Sequence, residues 1–357
     1  DHVSGPMSAS FVLHLTPHFS NVKDEDGNET GKSYDFFNKP FGVRHWFEEG
    51  EGMGAATVRD KPDTLVVLID PDMILLRPLN GILSPGDVYV GGSPDRMRVE
   101  PGRPFASEYG FGANWLKHGL RELTPEGSKA RDMANKEAAE RYAVGPPYMA
   151  TAGDFYEIAK KWTDYVPRVH KVYPHLLAEM YAYSLAAAEL GLPHQLVESA
   201  MVSDTGMSRE GWPLLDSVPH PEMCETAQKA AAHETDLLLP LVVHFCQRYM
   251  LGKHFFGKRR LNKDFLSCGR SLLKVPPPDL ATLYDYKIPP PPHQPAGEMK
   301  PVSKTGANRE AFMLCLITAK LNAAATFWKE HACAESEANY DRSLDLWENT
   351  DFHTSTG

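Results

Sequence analysis

The stretch "TLVVLIDPDMILLRPL", Thr64 to Leu79, joins an uninterrupted apolar run to two carboxylates. Leu65 to Ile69 show no polar alternation, which is typical of a β-strand buried on both faces at the centre of an α/β sheet. Ligands of such sheets bind at the carboxyl ends of the strands. The stretch therefore predicts that Asp70 and Asp72 lie at a ligand-binding edge, with Pro71 stiffening the turn between them.

The composition is that of a globular protein. The chain has 357 residues, 42% of them hydrophobic and 24% charged, which suits one large α/β domain or two smaller ones. Its formal net charge of -10 argues against a duplex nucleic-acid binder, which needs a basic surface. No apolar run approaches the length of a membrane span, and no signal peptide is visible.

The cysteines leave the redox compartment open. Five cysteines are widely spaced and form no Cys-x-x-Cys pair, which argues against a structural zinc site. Either one or two disulfides accompany a free thiol, or all five thiols are reduced. Asn28 begins "NET", the only N-glycosylation sequon in the sequence.

Two kinds of chemistry place an Asp-x-Asp triplet after a buried strand. Carboxylate oxygens bind Mg²⁺ or Mn²⁺, which would bridge to phosphate oxygens; a plain turn is the alternative, because the triplet is common. Haloacid-dehalogenase-type phosphatases would use Asp70 as nucleophile, but they continue with Thr or Val where this chain has Met73 and Ile74. Nucleotide-sugar glycosyltransferases of the GT-A type accept apolar residues there and fit better.

His244 follows a second apolar run, "LPLVV". A neutral imidazole at that strand end would complete the coordination of Mn²⁺ beside the carboxylates, although a hydrogen-bonded core histidine has the same pattern. Downstream, the segment "GKHFFGKRR" supplies basic residues that would neutralise a diphosphate or simply form a solvated surface. They are Lys253, Lys258, Arg259 and Arg260.

Glu179 lies in "AEMYAYS", where helical spacing puts it on one face with Tyr183. A carboxylate near a sugar C1 would stabilise an oxocarbenium-like transition state or orient an acceptor hydroxyl. An exposed helical Glu is the alternative.

Helix signals surround these residues. Asn38 is a suitable N-cap for "FFNKPFGVRHWFEEGEG", with Pro40 in its first turn. Asp154 is a candidate cap for the helix that runs through "YEIAKKW". The strongest helix signal is "HLLAEMYAYSLAAAELGLP", with Gly191 at the C′ position.

Seven segments, in this order, resemble plant and algal peptidyl O-glycosyltransferases, a group that includes hydroxyproline O-arabinosyltransferases and peptidyl-serine α-galactosyltransferases. The resemblance extends from Gly5 to about Phe265. The segments are "GPMSASFVL", "FNKPFGVRHWF", "VVLIDPDMILLRPL", "GRPFASEYGFG", "VGPPYMATAGDFYEIAKKW", "EMYAYSLAAAELGLPHQL" and "VVHF".

The resemblance implies a GT-A fold, with a Rossmann-like mixed sheet flanked by helices. It also implies a retaining, metal-dependent glycosyltransferase that takes L-arabinofuranose or galactose from a UDP-sugar. The acceptor would be a hydroxyproline or serine hydroxyl of a Pro-rich glycoprotein, and the metal Mn²⁺ or Mg²⁺. The expected location is the Golgi or ER lumen, with membrane attachment only through a segment outside this sequence.

Residue roles are implied at matching positions only. Asp70 and Asp72 would hold the metal and the donor, with His244 as the third metal ligand. Asn38 and Lys39 would lie near the nucleotide, Lys253 and Lys258 near the diphosphate. Glu179 would be the catalytic residue facing the sugar.

The domain organisation expected from the resemblance has four parts. Residues 1–274 would form the catalytic domain, and the Pro-rich residues 275–304 an extended C-terminal segment. Residues 305–333 would form an amphipathic helix that packs on the domain, and residues 334–357 a flexible tail.

Two departures from the family pattern keep other functions open. The family's first strand, with its "TPY"-like turn, is expected before Gly5 and is not in this sequence. The segment after His244 also differs from the land-plant form, so the sugar does not transfer. The alternatives are a haloacid-dehalogenase-like phosphatase that uses Asp70 and a non-catalytic family member that binds glycoproteins.

Overall fold

The chain forms two compact units, each described here by itself. The first unit comprises residues 11–69 and 79–198, and the second comprises residues 1–10, 70–78 and 199–357. The chain leaves the first unit after Ile69 and enters the second at Asp70. The computed structural model describes residues 12–23, 27–51, 54–79, 81–83, 97–207, 210–285, 287–288 and 300–346.

The protein is a mixed α/β protein, as predicted from the sequence. The helices are α1 (Asn38–Glu49), α2 (Ala55–Asp60), α3 (Lys129–Asp132), α4 (Asn135–Tyr142), α5 (Ala152–Val172), α6 (Ala178–Glu189), α7 (Met223–Ala232) and α8 (Lys304–Ala332). The strands are β1 (Asn21–Lys23), β2 (Glu29–Ser33), β3 (Leu65–Leu68), β4 (Met73–Leu75), β5 (Ile82–Leu83), β6 (Met97–Arg98), β7 (Phe105–Glu108), β8 (Val144–Thr151), β9 (Gln195–Val197), β10 (Met201–Val202), β11 (Val242–His244), β12 (Arg248–Leu251), β13 (His254–Gly257), β14 (Lys287–Ile288) and β15 (Lys300–Pro301).

The main sheet of the first unit has the order β3-β8-β7-β9. Strand β8 runs antiparallel to both β3 and β7, whereas β9 is parallel to β7. The expectation that β3 is a doubly buried central strand was wrong. Within the described ranges it pairs with β8 alone, only Val66 of the strand is buried, and Ile69 after it is 36% exposed. The apolar run therefore indicated neither how deeply its side chains are buried nor how many strands flank it.

Helix α5 begins one turn earlier than its acidic residue suggested. Thr151 is the N-cap, and its hydroxyl accepts a hydrogen bond from the Asp154 amide at 3.4 Å. The Asp154 carboxylate accepts instead from the amide of Gly102 at 2.8 Å. Thr and Asp are both good N-cap residues, so the sequence could not rank them.

Helix α6 ends as predicted. Gly191 adopts the left-handed conformation, with φ of 67°. Its amide donates to the Ala188 carbonyl at 3.1 Å, and the Leu192 amide donates to the Ala187 carbonyl at 2.9 Å. This pair of bonds is the Schellman arrangement that satisfies the last carbonyls of a helix.

The core of the first unit forms where α5 and α6 pack on each other and on β8. Tyr183 of α6 stacks on Tyr148 with 4.0 Å between ring centroids and meets the Trp162 ring edge-on at 5.0 Å. Every residue of α6 from Ala178 to Ala188 is buried. The helix is therefore a core element with no solvent-facing stripe.

The second unit contains a three-stranded sheet in the order β10-β11-β4. Strand β10 is parallel to β11, and β11 is antiparallel to β4. The hairpin of β12 and β13 and the helices α7 and α8 complete this unit. Two disulfides, Cys224–Cys315 and Cys268–Cys333, join parts of it, and Cys246 is a free thiol. Of the two predicted cysteine states, the one with disulfides and a free thiol is therefore confirmed.

Helix α8 is long and apolar enough to cross a membrane by length and composition alone, which the search of the sequence for apolar runs did not detect. Of its most apolar 18-residue window, 56% is buried inside the protein. Phe312, Met313 and Leu316 belong to the core of the second unit, so the same composition is that of a core helix.

The chain after α8 differs from a flexible tail as far as Leu346. The Leu272 amide donates to the Asp341 carbonyl at 2.8 Å, and the Leu344 amide donates to the Leu272 carbonyl at 2.9 Å. Leu346 is buried. These backbone bonds are made with distant residues, which the polar composition could not reveal. Residues 347–357 lie outside the described residues, as do 286 and 289–299 of the Pro-rich segment.

Gly145 tests the packing of the main sheet of the first unit. A Cβ built at Gly145 would lie 2.1 Å from the Tyr109 ring, so the ring must move. We expect G145A to lower the free energy of unfolding by about 2 kcal/mol in urea titrations. G269A is the matched control, because a Cβ there meets nothing within 4 Å and should change stability by less than about 0.5 kcal/mol. Equal stabilities for both variants would contradict this packing.

Candidate functional site

The Asp-Pro-Asp triplet forms a tight turn between β3 and β4. The Met73 amide donates to the Asp70 carbonyl at 3.1 Å, which closes a four-residue turn with Pro71 at its second position. Proline is favoured there because its fixed φ suits the turn. The turn brings two carboxylates separated by one residue close enough to share a ligand.

The pairing of β4 with β11 places His244 beside this turn. Met73 is the register partner of His244, and the amide of Phe245 donates to the Asp72 carbonyl at 3.0 Å. Tyr249 supports the strand end, because its hydroxyl lies 3.1 Å from the His244 carbonyl and 2.8 Å from the Ser203 carbonyl. Both acceptors follow or end strands of the same sheet.

Asp70, Asp72 and His244 form the candidate cation site. One ligand atom from each side chain lies within 4.8 Å of the others, and Nε2 of His244 is 3.3 Å from Oδ1 of Asp72. Ligands about 2.1 Å from an octahedral metal lie roughly 3 to 4.3 Å from one another, so these spacings are close to those of a bound state. Two carboxylates and one imidazole suit Mn²⁺ or Mg²⁺. The three predicted ligands are thus brought together.

Positive charge from the protein surrounds Asp72. Its Oδ2 accepts a short hydrogen bond from Nζ of Lys258, while its Oδ1 faces His244. Burial alone would raise the pKa of Asp72, but the hydrogen bonds and charges of His244 and Lys258 hold that pKa well below its usual range.

His244 responds in the opposite direction. Burial alone would lower the pKa of His244, but hydrogen bonds with Asp72 and Cys246, together with their charges, raise it to about 9. The histidine therefore carries a proton at neutral pH when no metal is bound. His244 would have to lose that proton to hold a cation together with Asp70 and Asp72, while the Lys258 ammonium group bonds to Oδ2 of Asp72.

Basic residues cluster on the hairpin next to Lys258. Arg248 is the register partner of Gly257, and a Cβ built at Gly257 would meet the Arg248 side chain at 3.7 Å. The Arg260 guanidinium lies 6.0 Å from the centre of the Phe255 ring. Burial and the charge of Arg248 lower the pKa of Arg260, so the two guanidinium groups lie close enough to repel. We call Arg248, Lys258 and Arg260 the basic cluster.

Lys253 is not part of this cluster. It is exposed in the turn between β12 and β13, at the opposite end of β13 from Lys258. The Cα atoms of Lys253 and Lys258 are five residue spacings apart along extended chain, a distance of about 16 Å. The two lysines are close together in the sequence, but they lie at opposite ends of the hairpin.

Glu179 and Lys39 meet in the first unit. The Lys39 Nζ lies 3.6 Å from Oε1 of Glu179, whose side chain is only 3% exposed. The amide of Glu179 donates to the Tyr34 hydroxyl at 3.1 Å, and its carbonyl accepts from the Trp162 indole at 2.8 Å. The carboxylate is therefore buried and held, which excludes the alternative of an exposed helical glutamate.

Asn38 is used inside the first unit. It is the first residue of α1, and Phe37 is the N-cap, one position earlier than predicted. Its Oδ1 accepts from the Phe19 amide at 2.8 Å, and its Nδ2 donates to the Ser20 hydroxyl at 2.7 Å and the Asp35 carbonyl at 3.0 Å. The amide group thus ties the preceding chain to α1, and nucleotide contact by Asn38 stays a prediction.

Sequence reasoning missed Tyr34, Arg248, Tyr249 and Cys246. Tyr34 and Tyr249 act through hydroxyl contacts with segments far along the chain, for which no local pattern exists. Arg248 had a signal, because it lies four residues before the basic segment, on the other strand of a hairpin. Cys246 lies two residues after His244, the spacing that puts side chains on one side of extended chain.

One curated protein carries a similar sequence. The chain is 28% identical over 203 residues to peptidyl serine alpha-galactosyltransferase of Arabidopsis thaliana, which covers 56% of this chain. The aligned part is 23% of the plant protein, so the chain spans less than a quarter of that relative's length. No family model and no solved structure matches the chain. The predicted resemblance to the peptidyl-serine α-galactosyltransferases is confirmed.

The proton on His244 predicts how metal binding depends on pH. Because Nε2 must lose its proton to bind a cation, the apparent affinity for Mn²⁺ should rise by up to about tenfold per pH unit between pH 6.5 and 8.5, levelling near pH 9. Isothermal titration in buffers of different ionisation enthalpy would also detect release of about one proton. A flat affinity over this range would show that His244 is not a ligand.

The Lys39–Glu179 pair predicts an asymmetric loss of stability. K39M leaves the buried carboxylate without this ammonium group and should lower the free energy of unfolding by about 2 to 3 kcal/mol in urea titrations. The double variant K39M/E179Q removes both charges and should recover part of that loss. A double variant no more stable than K39M would mean that the two side chains are not coupled.

Proposed function

We propose that this protein is a metal-dependent glycosyltransferase of the GT-A type that transfers a sugar from a UDP-sugar to a peptide hydroxyl. One observation carries the proposal: the side chains of Asp70, Asp72 and His244, from two distant segments, converge at one strand end beside Lys258. The name of the similar plant protein supports the reaction class.

The proposed cation is Mn²⁺ or Mg²⁺, held by Asp70, Asp72 and His244. When bound, it would act as a Lewis acid that stabilises the leaving diphosphate. Lys258 holds Asp72 ionised and oriented. It thereby keeps one carboxylate oxygen directed toward His244, where the cation would bind.

The basic cluster has a separate role in this proposal. Arg248, Lys258 and Arg260 would bind the diphosphate of the donor, because guanidinium and ammonium groups form charge-assisted hydrogen bonds with phosphate oxygens. Burial and, after it, the charge of Arg248 lower the pKa of Arg260, and a bound anion would relieve the repulsion between these two guanidinium groups. Lys253, exposed at the far end of the hairpin, has no part in this arrangement.

Glu179 is the proposed catalytic carboxylate of the first unit. Buried and fixed by its backbone contacts, it would stabilise positive charge on the sugar or orient the acceptor hydroxyl in a reaction that retains configuration. The Lys39 ammonium group lies 3.6 Å from Oε1 of Glu179 and supplies a counter-charge beside it. Lys39 would also be the nucleotide-side residue of this pair, with Asn38 holding the chain that precedes α1.

Serine and galactose are the acceptor and sugar that we favour. The similar plant protein is named for a peptidyl serine acceptor and an alpha-linked galactose. Hydroxyproline and L-arabinofuranose are the second candidate acceptor and sugar. The hydroxyproline O-arabinosyltransferases and the peptidyl-serine α-galactosyltransferases share the motifs that match this chain.

A lumenal compartment fits the cysteine chemistry. Disulfides persist in oxidising compartments, and this chain forms two of them in its second unit. We therefore propose the Golgi or ER lumen as the place of action.

The proposal predicts Mn²⁺-dependent binding and hydrolysis of a UDP-sugar, with UDP-galactose preferred over UDP-arabinofuranose. D70A and D72N should each lower Mn²⁺-dependent turnover by more than about 100-fold, because each removes a carboxylate ligand. H244A should do the same. K253A is the matched control and should stay within about twofold, since Lys253 is exposed and distant from Lys258.

Two further measurements distinguish this proposal from the other candidate functions. A phosphatase would form an aspartyl-phosphate at Asp70, so beryllium fluoride would bind the wild type and not D70A. A non-catalytic glycoprotein-binding protein would show no thermal shift with any UDP-sugar plus Mn²⁺. Turnover that survives excess chelator and the D72N substitution would end the metal-dependent proposal.

A further inference from the structure

The sequon at Asn28 lies on a small solvent-exposed ribbon of the first unit. Strands β1 and β2 pair antiparallel, with Asn21 opposite Ser33 and Lys23 opposite Glu29. Asn28 immediately precedes β2, and all five residues of that strand are exposed. The asparagine and the rest of its triplet therefore face water.

There is room around the sequon for a bulky substituent. Gly27 and Gly31 flank the triplet, both in the left-handed conformation with φ of 85° and 74°. A Cβ built at either glycine would meet no atom within 4 Å. The glycines bend the backbone on both sides of the triplet, and Asn28 between them is exposed to solvent.

The Thr30 hydroxyl of the sequon makes a hydrogen bond within the ribbon, and this bond is weak enough to break. Thr30 donates from its hydroxyl to the Val22 carbonyl at 2.8 Å across the ribbon. The bond is solvent-exposed, and a two-stranded ribbon that packs only Val22 against the core has marginal stability. The ribbon can open to present an extended triplet without unfolding the core.

We propose that Asn28 is an N-glycosylation site. The Asn28 Nδ2 would form a bond to C1 of an oligosaccharide and lose one proton, while the bond from C1 to the diphosphate of a polyprenyl-diphosphate carrier breaks and the carrier diphosphate leaves. A membrane-bound oligosaccharyltransferase of the secretory pathway would supply this reaction. The inference rests on the lumenal location proposed above and not on the transfer activity.

The glycan would also protect the ribbon. The outer edges of β1 and β2 carry backbone groups that could pair with another chain, and exposed edges of this kind promote aggregation. Charged side chains on Lys23, Glu29 and Lys32 already discourage such pairing. A hydrated oligosaccharide beside β2 would add a steric barrier at the same place.

The test is expression of the chain behind a secretion leader in a eukaryotic cell, followed by peptide mass spectrometry. In secreted wild type, most chains should carry a glycan at Asn28, and enzymatic release should convert Asn28 to Asp. N28Q and T30A should each abolish the modification. T30S should keep it, at equal or lower occupancy, because Ser also completes a sequon.

A second sequon controls for the host. In the N28Q/E137T variant the new triplet begins at Asn135, an exposed residue at the start of α4. Modification of Asn135 shows that the host glycosylates a sequon in this fold. Secreted wild type that lacks a glycan at Asn28, from a host that modifies Asn135, would overturn the proposal. None of these readouts depends on glycosyltransferase activity.

Discussion

The pairing of Met73 with His244 is the constraint on which the candidate cation site depends. The two strands come from segments far apart in the chain, and each contributes only three residues. A slip of one residue would turn His244 to the opposite face of the sheet. The Phe245 amide, which donates to the Asp72 carbonyl at 3.0 Å, belongs to this register. The contacts of Tyr249 with two strand ends then hold the carbonyl of His244 in place.

The charges of the site form one coupled system. Asp72 has a folded pKa below its ordinary 3.8, so it contributes stability above that pH which is lost as the pH falls. His244 has a folded pKa of about 9, above 6.5, so its contribution is complete below pH 6.5 and is lost as the pH rises through 9. Between these limits the metal-free protein balances its own carboxylate with a proton and with Lys258. A divalent cation held by Asp70, Asp72 and His244, as proposed, would compete with that proton.

How much of this could be read from sequence depended on distance along the chain. Asp70, Asp72 and His244 were predicted to converge because each follows an apolar run, and strand ends are where polar side chains gather. Gly191 and the helix it ends were predicted from local signals alone. The edge position of β3, the separation of Lys253 from Lys258 and the internal use of Asn38 are set by partners distant in sequence. No periodicity or composition encodes those partners.

The buried position of the Glu179 carboxylate bears on its proposed role. A buried ion pair is weak support for stability, because well-packed apolar residues in its place often stabilise a protein more. Helix α6 is buried on every face. Its other residues from Ala178 to Ala188 are apolar except for three with hydroxyl groups, Tyr181, Tyr183 and Ser184. These hydroxyls lie within hydrogen-bonding distance of Tyr173, His194 and the Tyr142 carbonyl, respectively. Folding alone would have favoured an apolar residue at position 179. The carboxylate is instead retained, paired with Lys39, and fixed through both backbone groups by Tyr34 and Trp162. A buried carboxylate at a position where packing alone would favour an apolar side chain supports the catalytic role proposed for Glu179.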